Sequence, residues 1–140
     1  MDQARGLLHR QDASLVSIRS WPEFIGTTCG YSYIKPKGEI AGARWGHAGS
    51  DSTHMEDFHN PDGTMRSADD ITAMWKAWNI KPEQQVSFYC GTGWRASETF
   101  MYARAMGWKN VSVYDGGWYE WSSDPKNPVA TGERGPDSSK

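Results

Sequence analysis

The chain has 140 residues, is 37% hydrophobic and carries a formal net charge of −2, enough length for one globular domain with a real core and no excess of positive charge to hold nucleic acid. Eight Trp, six Tyr and four Phe exclude a disordered composition, and no stretch approaches the ~20 apolar residues of a membrane helix. Two cysteines, Cys29 and Cys90, exclude a disulfide framework and a Cys-based zinc site.

From the start, Ala4, Leu7 and Leu8 follow helical spacing. The pattern begins with no charged-then-apolar leader before it, so we expect a piece of a longer protein. Leu15 to Ile18 is the first strand, and Pro22 with Glu23 opens a short helical turn. Gly26 to Gly38 is polar, aromatic and broken by Gly and Pro, a long loop. Cys29 lies there between glycines without an activating neighbour; it reads as incidental, with a resolving thiol as the alternative. A Cys29–Cys90 bridge is open to the sequence but would block a nucleophile at Cys90. Gly42 to Trp45 is a second short strand, and the turn Asn60-Pro61-Asp62-Gly63 puts a lid or small hairpin within Gly46 to Arg66. His47, His54 and His59 share that region but form no His-x3-His pair, so they read as solvated or capping residues, and we expect no metal.

Ser67-Ala68-Asp69-Asp70 has the Ser-x-x-acid form of a helix start, and Ile71, Met74, Trp75 and Trp78 place one apolar face on the helix that follows. After Lys81-Pro82, the run Val86, Ser87, Phe88 and Tyr89 is a buried strand that ends at Cys90. Gly91 and Gly93 then give the backbone freedom, and Arg95 opens a helix whose face is Ala96, Phe100 and Ala103, stopped at Gly107. Strand, Gly-rich loop and helix together aim backbone N–H groups at one point, where an anion is stabilised. A thiol at that point beside an arginine is a candidate nucleophile. Val111, Val113 and Tyr114 form another strand, Asp115-Gly116-Gly117 a turn, and residues 122–140 an irregular tail. Strand followed by helix, repeated, predicts an α/β domain over residues 1–140, with a central parallel sheet of about five strands covered on both faces.

Four residues separate Cys90 from Arg95, one fewer than in the Cys-x5-Arg loop of the tyrosine phosphatases, so the ring of donors encloses something smaller than a phosphoryl group. Cys90-Gly91-Thr92-Gly93-Trp94-Arg95 resembles the Cys-x-x-Gly-x-[Arg/Thr] loop of the rhodanese family of sulfurtransferases. Leu15 to Arg19 stands where that family has a strand ending Asp-x-Arg, and Gly38-Glu39-Ile40-Ala41-Gly42-Ala43 where it has Gly-His-Ile-Pro-Gly-Ala. Val113 to Trp121 resembles its closing strand, double turn and Trp-x-x-Trp. Coverage is nearly the whole chain, and Asn60 to Thr64 with the helix after it makes the chain most similar to the C-terminal, catalytic domain of multi-domain bacterial thiosulfate sulfurtransferases.

The resemblance implies a rhodanese-like fold and double displacement. Cys90 takes the outer sulfur of thiosulfate as a persulfide and passes it to cyanide or a thiol acceptor, with no cofactor. Gly91, Thr92, Gly93, Trp94 and Arg95 would line the loop, and Arg19 and Arg44 are further candidate contacts to an anionic donor. Ser17 replaces the usual Asp, and Glu23 falls where tandem enzymes carry an arginine that reaches the donor. Implied partners are the small donor, a thiol or protein acceptor and preceding domains of the same chain, with no nucleic acid and no membrane. The branch implies export to the periplasm; a cytoplasmic location is the alternative. Rival readings are mercaptopyruvate as donor, a non-catalytic domain that accepts sulfur from a partner desulfurase, and a phosphatase or arsenate reductase on a related loop.

Overall fold

The structure is a computed structural model that describes residues 2–10, 12–30, 36–91 and 94–132. Among these, four parallel strands form the central sheet in the order β3 (Arg44–Trp45), β1 (Ala13–Ser17), β4 (Gln85–Tyr89), β5 (Val111–Val113). That is one strand fewer than the sequence predicts. β1 and β4 pair along their whole length, from Ala13 opposite Gln85 to Ser17 opposite Tyr89. A separate antiparallel pair joins β2 (Glu39–Ile40) to β6 (Val129–Ala130), so the segment read as an irregular tail contributes a strand.

Successive side chains of a strand point to opposite faces, and the two faces of this sheet build two cores. Val16 and Ile18 with Val86, Phe88 and Cys90 pack beneath α2 (Trp21–Ile25), α3 (Ala68–Lys76) and α4 (Trp94–Ala105). Ala13, Leu15 and Tyr89 pack on the other side with α1 (Asp2–Leu8) and α5 (Gly117–Ser122). Trp75, Trp118 and Trp121 are fully buried. Their indole N–H groups donate to the carbonyls of Gly46, Pro36 and Pro128 at 2.9, 2.9 and 3.0 Å, which removes the cost of burying that donor.

The local signals of the sequence act as expected at several element ends. The Ser67 hydroxyl accepts from the Asp70 N–H at the start of α3. Gly107 takes a left-handed φ of 94° after α4, and its N–H donates to the Arg104 carbonyl. Asn60 and Thr64 close a tight turn flanked by the bridge between His59 and Met65, the small hairpin read from Asn60-Pro61-Asp62-Gly63.

Candidate active site

Cys90 leaves the carboxyl end of β4, a central strand, the place where parallel sheets bind ligands. Its side chain is fully buried on the α4 side of the sheet, and both cysteines carry thiols. Thr92 and Gly93 lie outside the described residues. The rest of the loop is fixed from below: the Cys90 carbonyl accepts from the Trp118 N–H at 2.8 Å, and the Gly91 carbonyl from Tyr119 at 3.0 Å. In a planar trans peptide the N–H points opposite to the C=O, so the Gly91 N–H is turned away from α5. Gly117 lets α5 come this close. Its φ is +58°, and a Cβ on it would overlap the carbonyl oxygens of Cys90 and Gly91.

Trp94 begins α4 at the rim and is 69% exposed; Tyr119, across Gly91, is 51% exposed. Arg95 points the other way, into the protein. Its two Nη groups donate to both carboxylate oxygens of Glu23 at 2.9 and 3.1 Å, and Nη1 reaches the Asp51 carbonyl at 3.4 Å. Such fork-to-fork pairing is the strong geometry for arginine and carboxylate. Glu23 is also the third residue of a capping box on α2: its carboxylate accepts from the Ser20 N–H and hydroxyl, while the Ser20 oxygen accepts from the Glu23 N–H.

Arg19, the second candidate cation, belongs to the same buried network. Its Nε lies 3.4 Å from Glu23 and its Nη1 3.3 Å from Glu39, and it donates to the carbonyls of Gly38 and Cys29 at 2.7 and 3.2 Å. Its guanidinium also lies over the Trp118 ring at 5.1 Å, within cation–π range. Glu39 in turn accepts from the hydroxyls of Ser17 and Tyr89 and from the Ile40 N–H. Ser17, where the related strands carry Asp, thus serves as a donor to Glu39.

Burial by itself pushes the Arg19 guanidinium toward the neutral form, but Glu39 and Glu23 outweigh it and hold its pKa above the ordinary value. Burial likewise pushes Glu23 up, and the hydrogen bond and charge of Arg95, with Arg19 and Ser20, bring it below the ordinary carboxylate value. Desolvation and Glu39 raise the Tyr89 phenol well above its usual range, so Tyr89 stays a donor.

Arg44 stands apart. It donates to the Ser14 hydroxyl at 2.8 Å and the Asn79 carbonyl at 2.7 Å. Ser14 pairs with Val86, four residues before Cys90, so at ~3.3 Å per residue Arg44 sits near the opposite end of the strands. Cys29 and Gly30 line a cavity of about 400 Å³ with Glu23, Ser50 and Asp51, which brings Cys29 to the neighbourhood of the Arg95 partner. The three histidines do not meet. His47 faces Asp57 at 3.4 Å, His54 faces Asp51 at 2.5 Å, and His59 faces the Tyr102 hydroxyl at 3.4 Å. Among the described residues no group of three or more His, Cys, Asp or Glu could hold a metal ion.

Sequence reasoning missed Glu39 and Tyr89 as site residues, although Glu39 lies within one matched motif and Tyr89 adjoins another. The Ser20-x-x-Glu23 spacing was a readable capping box that would have turned Glu23 inward. At the position where tandem enzymes carry a donor-reaching arginine, this chain buries Glu23 against Arg95 and Arg19.

The model of the family described as Rhodanese-like domain matches residues 1–124. The chain is 99% identical over 140 residues to the thiosulfate sulfurtransferase YnjE of Escherichia coli K12, covering all of this chain and 32% of that protein. The crystal structure of YnjE superposes with a TM-score of 0.98 at 98% identity, covering 100% of this chain and 34% of that one. EanB, solved with a cysteine persulfide in a tetrahedral intermediate state with ergothioneine, matches at TM-score 0.92 and 49% identity over 96% of this chain and 32% of its own. The sulfur carrier protein TtuD of Thermus thermophilus is 30% identical over 122 residues, 86% of this chain and 42% of that protein. The chain therefore spans about a third of the length of YnjE and less than half that of TtuD.

Proposed function

Because the chain belongs to the rhodanese-like domain family, we propose that it is the sulfur-carrying domain of a thiosulfate sulfurtransferase, with Cys90 as the nucleophile. One observation carries the reading: Cys90 is the thiol at the carboxyl end of the central strand β4, on a loop anchored by α5 and continued by α4.

The Cys90 thiolate attacks the outer sulfur of thiosulfate. A new S–S bond forms, the bond to the sulfite sulfur breaks, and sulfite leaves with the electron pair. Cyanide or a thiolate acceptor then attacks the outer sulfur of the persulfide, and Cys90 departs as thiolate. Negative charge on the terminal sulfur is met by loop N–H groups, those of Gly91, Trp94 and Arg95 among the described residues, with Thr92 and Gly93 completing the loop and the Thr92 hydroxyl as a further donor. Arg95 and Arg19 contribute through the buried network rather than as donor ligands. No metal or organic cofactor enters this chemistry. In the longer protein the domain works beside preceding domains, in an exported, periplasmic form.

The name of TtuD makes a carrier without small-molecule turnover the second reading. Steady-state thiocyanate production from thiosulfate and cyanide separates the two. Multiple turnovers lost in Cys90→Ser and kept in Cys29→Ser support the enzyme; a single turnover at most supports the carrier.

A further inference from the structure

From Arg95, which closes the Cys90 loop motif, runs a row of alternating buried charges, Arg95, Glu23, Arg19 and Glu39, each 0% exposed. Glu23 is its hinge. Its two oxygens face both Nη groups of Arg95, the Nε of Arg19, and the N–H and hydroxyl of Ser20. The chain opposite makes room for it: a Cβ on Gly30 would overlap the Glu23 carboxylate.

A helix cap alone does not call for this. A neutral Gln serves the capping box at the same position as well as Glu does, whereas burying an ionised carboxylate is costly unless its counter-charges stand in place. The charge of Glu23 therefore answers the charge of Arg95, the last residue of the Cys90 loop motif.

We propose that Glu23 is a positioning residue of the sulfur-transfer site: by gripping Arg95 at two points it commits the loop arginine to the protein core, offsets its charge, and leaves the anionic sulfur to the backbone N–H groups of the loop. The proposal rests on the reading of Cys90 as the sulfur-carrying thiol. Arg95 and Glu23 then act as one unit, and the field they jointly place on Cys90 is smaller than that of either alone.

Alkylation of Cys90 by iodoacetamide across pH, read by intact mass in a Cys29→Ser background, tests this without any sulfur donor. Glu23→Gln keeps the capping box and unmasks the arginine, so the pH midpoint of alkylation should fall by about half a unit or more. Arg95→Gln leaves the carboxylate and should raise it, because a nearby like charge disfavours thiolate. The double variant should return close to the parent, the signature of coupled residues. Movement of all three in one direction, or no movement in Glu23→Gln, overturns the proposal. If Glu23→Gln does not fold, Gly30→Ala crowds the carboxylate away from Arg95 without removing it, and its midpoint should fall too; an unchanged midpoint overturns the proposal as well. Failure of the parent to take sulfur from thiosulfate would instead strike the sulfurtransferase reading and leave the alkylation cycle standing.

Discussion

The Cys90 carbonyl accepts a 2.8 Å hydrogen bond from the backbone N–H of Trp118, so the first turn of α5 serves as the floor of the nucleophile's loop. Gly117 stands at the closest approach, at φ +58°. Gly117→Ala adds both a strained backbone and a steric overlap. We expect a loss of at least about 2 kcal/mol of stability in urea unfolding and a larger fractional loss of sulfur transfer than of folded protein at assay temperature. Activity in proportion to folded protein would mean that the loop does not need this floor.

Acid stability should report on Glu23. Its carboxyl titrates below the ordinary value in the folded protein, so its contribution is fully present above the unfolded value, ~4.3, and fades as the pH falls through the folded one. Glu23→Gln should cost roughly 3 kcal/mol at pH 7, because the charges of Arg95 and Arg19 lose their partner. Urea unfolding of the two proteins should draw together as the pH falls below the unfolded value and through the folded one. Parallel curves would show that Glu23 is not an ionised partner in the fold.

His54 and Asp51 form a second, exposed pair with the opposite pH signature. The hydrogen bond from His54 brings Asp51 down to about 2 and raises His54 above its ordinary value. Above the acid range in which Asp51 titrates, what the pair adds to stability is complete below the unfolded histidine value, ~6.5, and is lost as the pH rises through the folded one. Asp51→Asn should return the His54 midpoint toward ~6.5 in an NMR titration; an unaltered midpoint would remove the pair.

Arg44 gives a contrast within one class of residue. It ties Ser14 to Asn79 at the far end of the strands, so Arg44→Met should lower stability by about 1–3 kcal/mol, the cost of leaving buried acceptors without their donor. The KM for thiosulfate should stay within about twofold of the parent. A tenfold rise in KM would return Arg44 to the donor site.

The legible parts of the molecule were those written in short stretches. Val86 to Tyr89, the Ser67 cap and the Gly107 stop each depend on neighbours within a few residues, and the structure follows them. The partner of Arg95 lies 72 residues earlier in the chain, and the pairing of β2 with β6 joins Glu39 to Ala130. Periodicity carries no information on such distant pairs. Val129 and Ala130 offered only two residues of strand between prolines and glycines, too short to register as an alternating pattern. For the same reason the sequence does not reveal that the fold gives Glu23 Arg95 and Arg19 as counter-ions.

The central claim is that Cys90 carries sulfur, and the most direct measurement is the intact mass of the protein after incubation with thiosulfate and removal of excess donor. The account predicts the mass of one added sulfur atom in the parent, located at Cys90 by peptide mapping and discharged by cyanide with release of thiocyanate. It predicts no addition in Cys90→Ser and unchanged addition in Cys29→Ser. An unmodified parent, or sulfur that persists in Cys90→Ser, would contradict it.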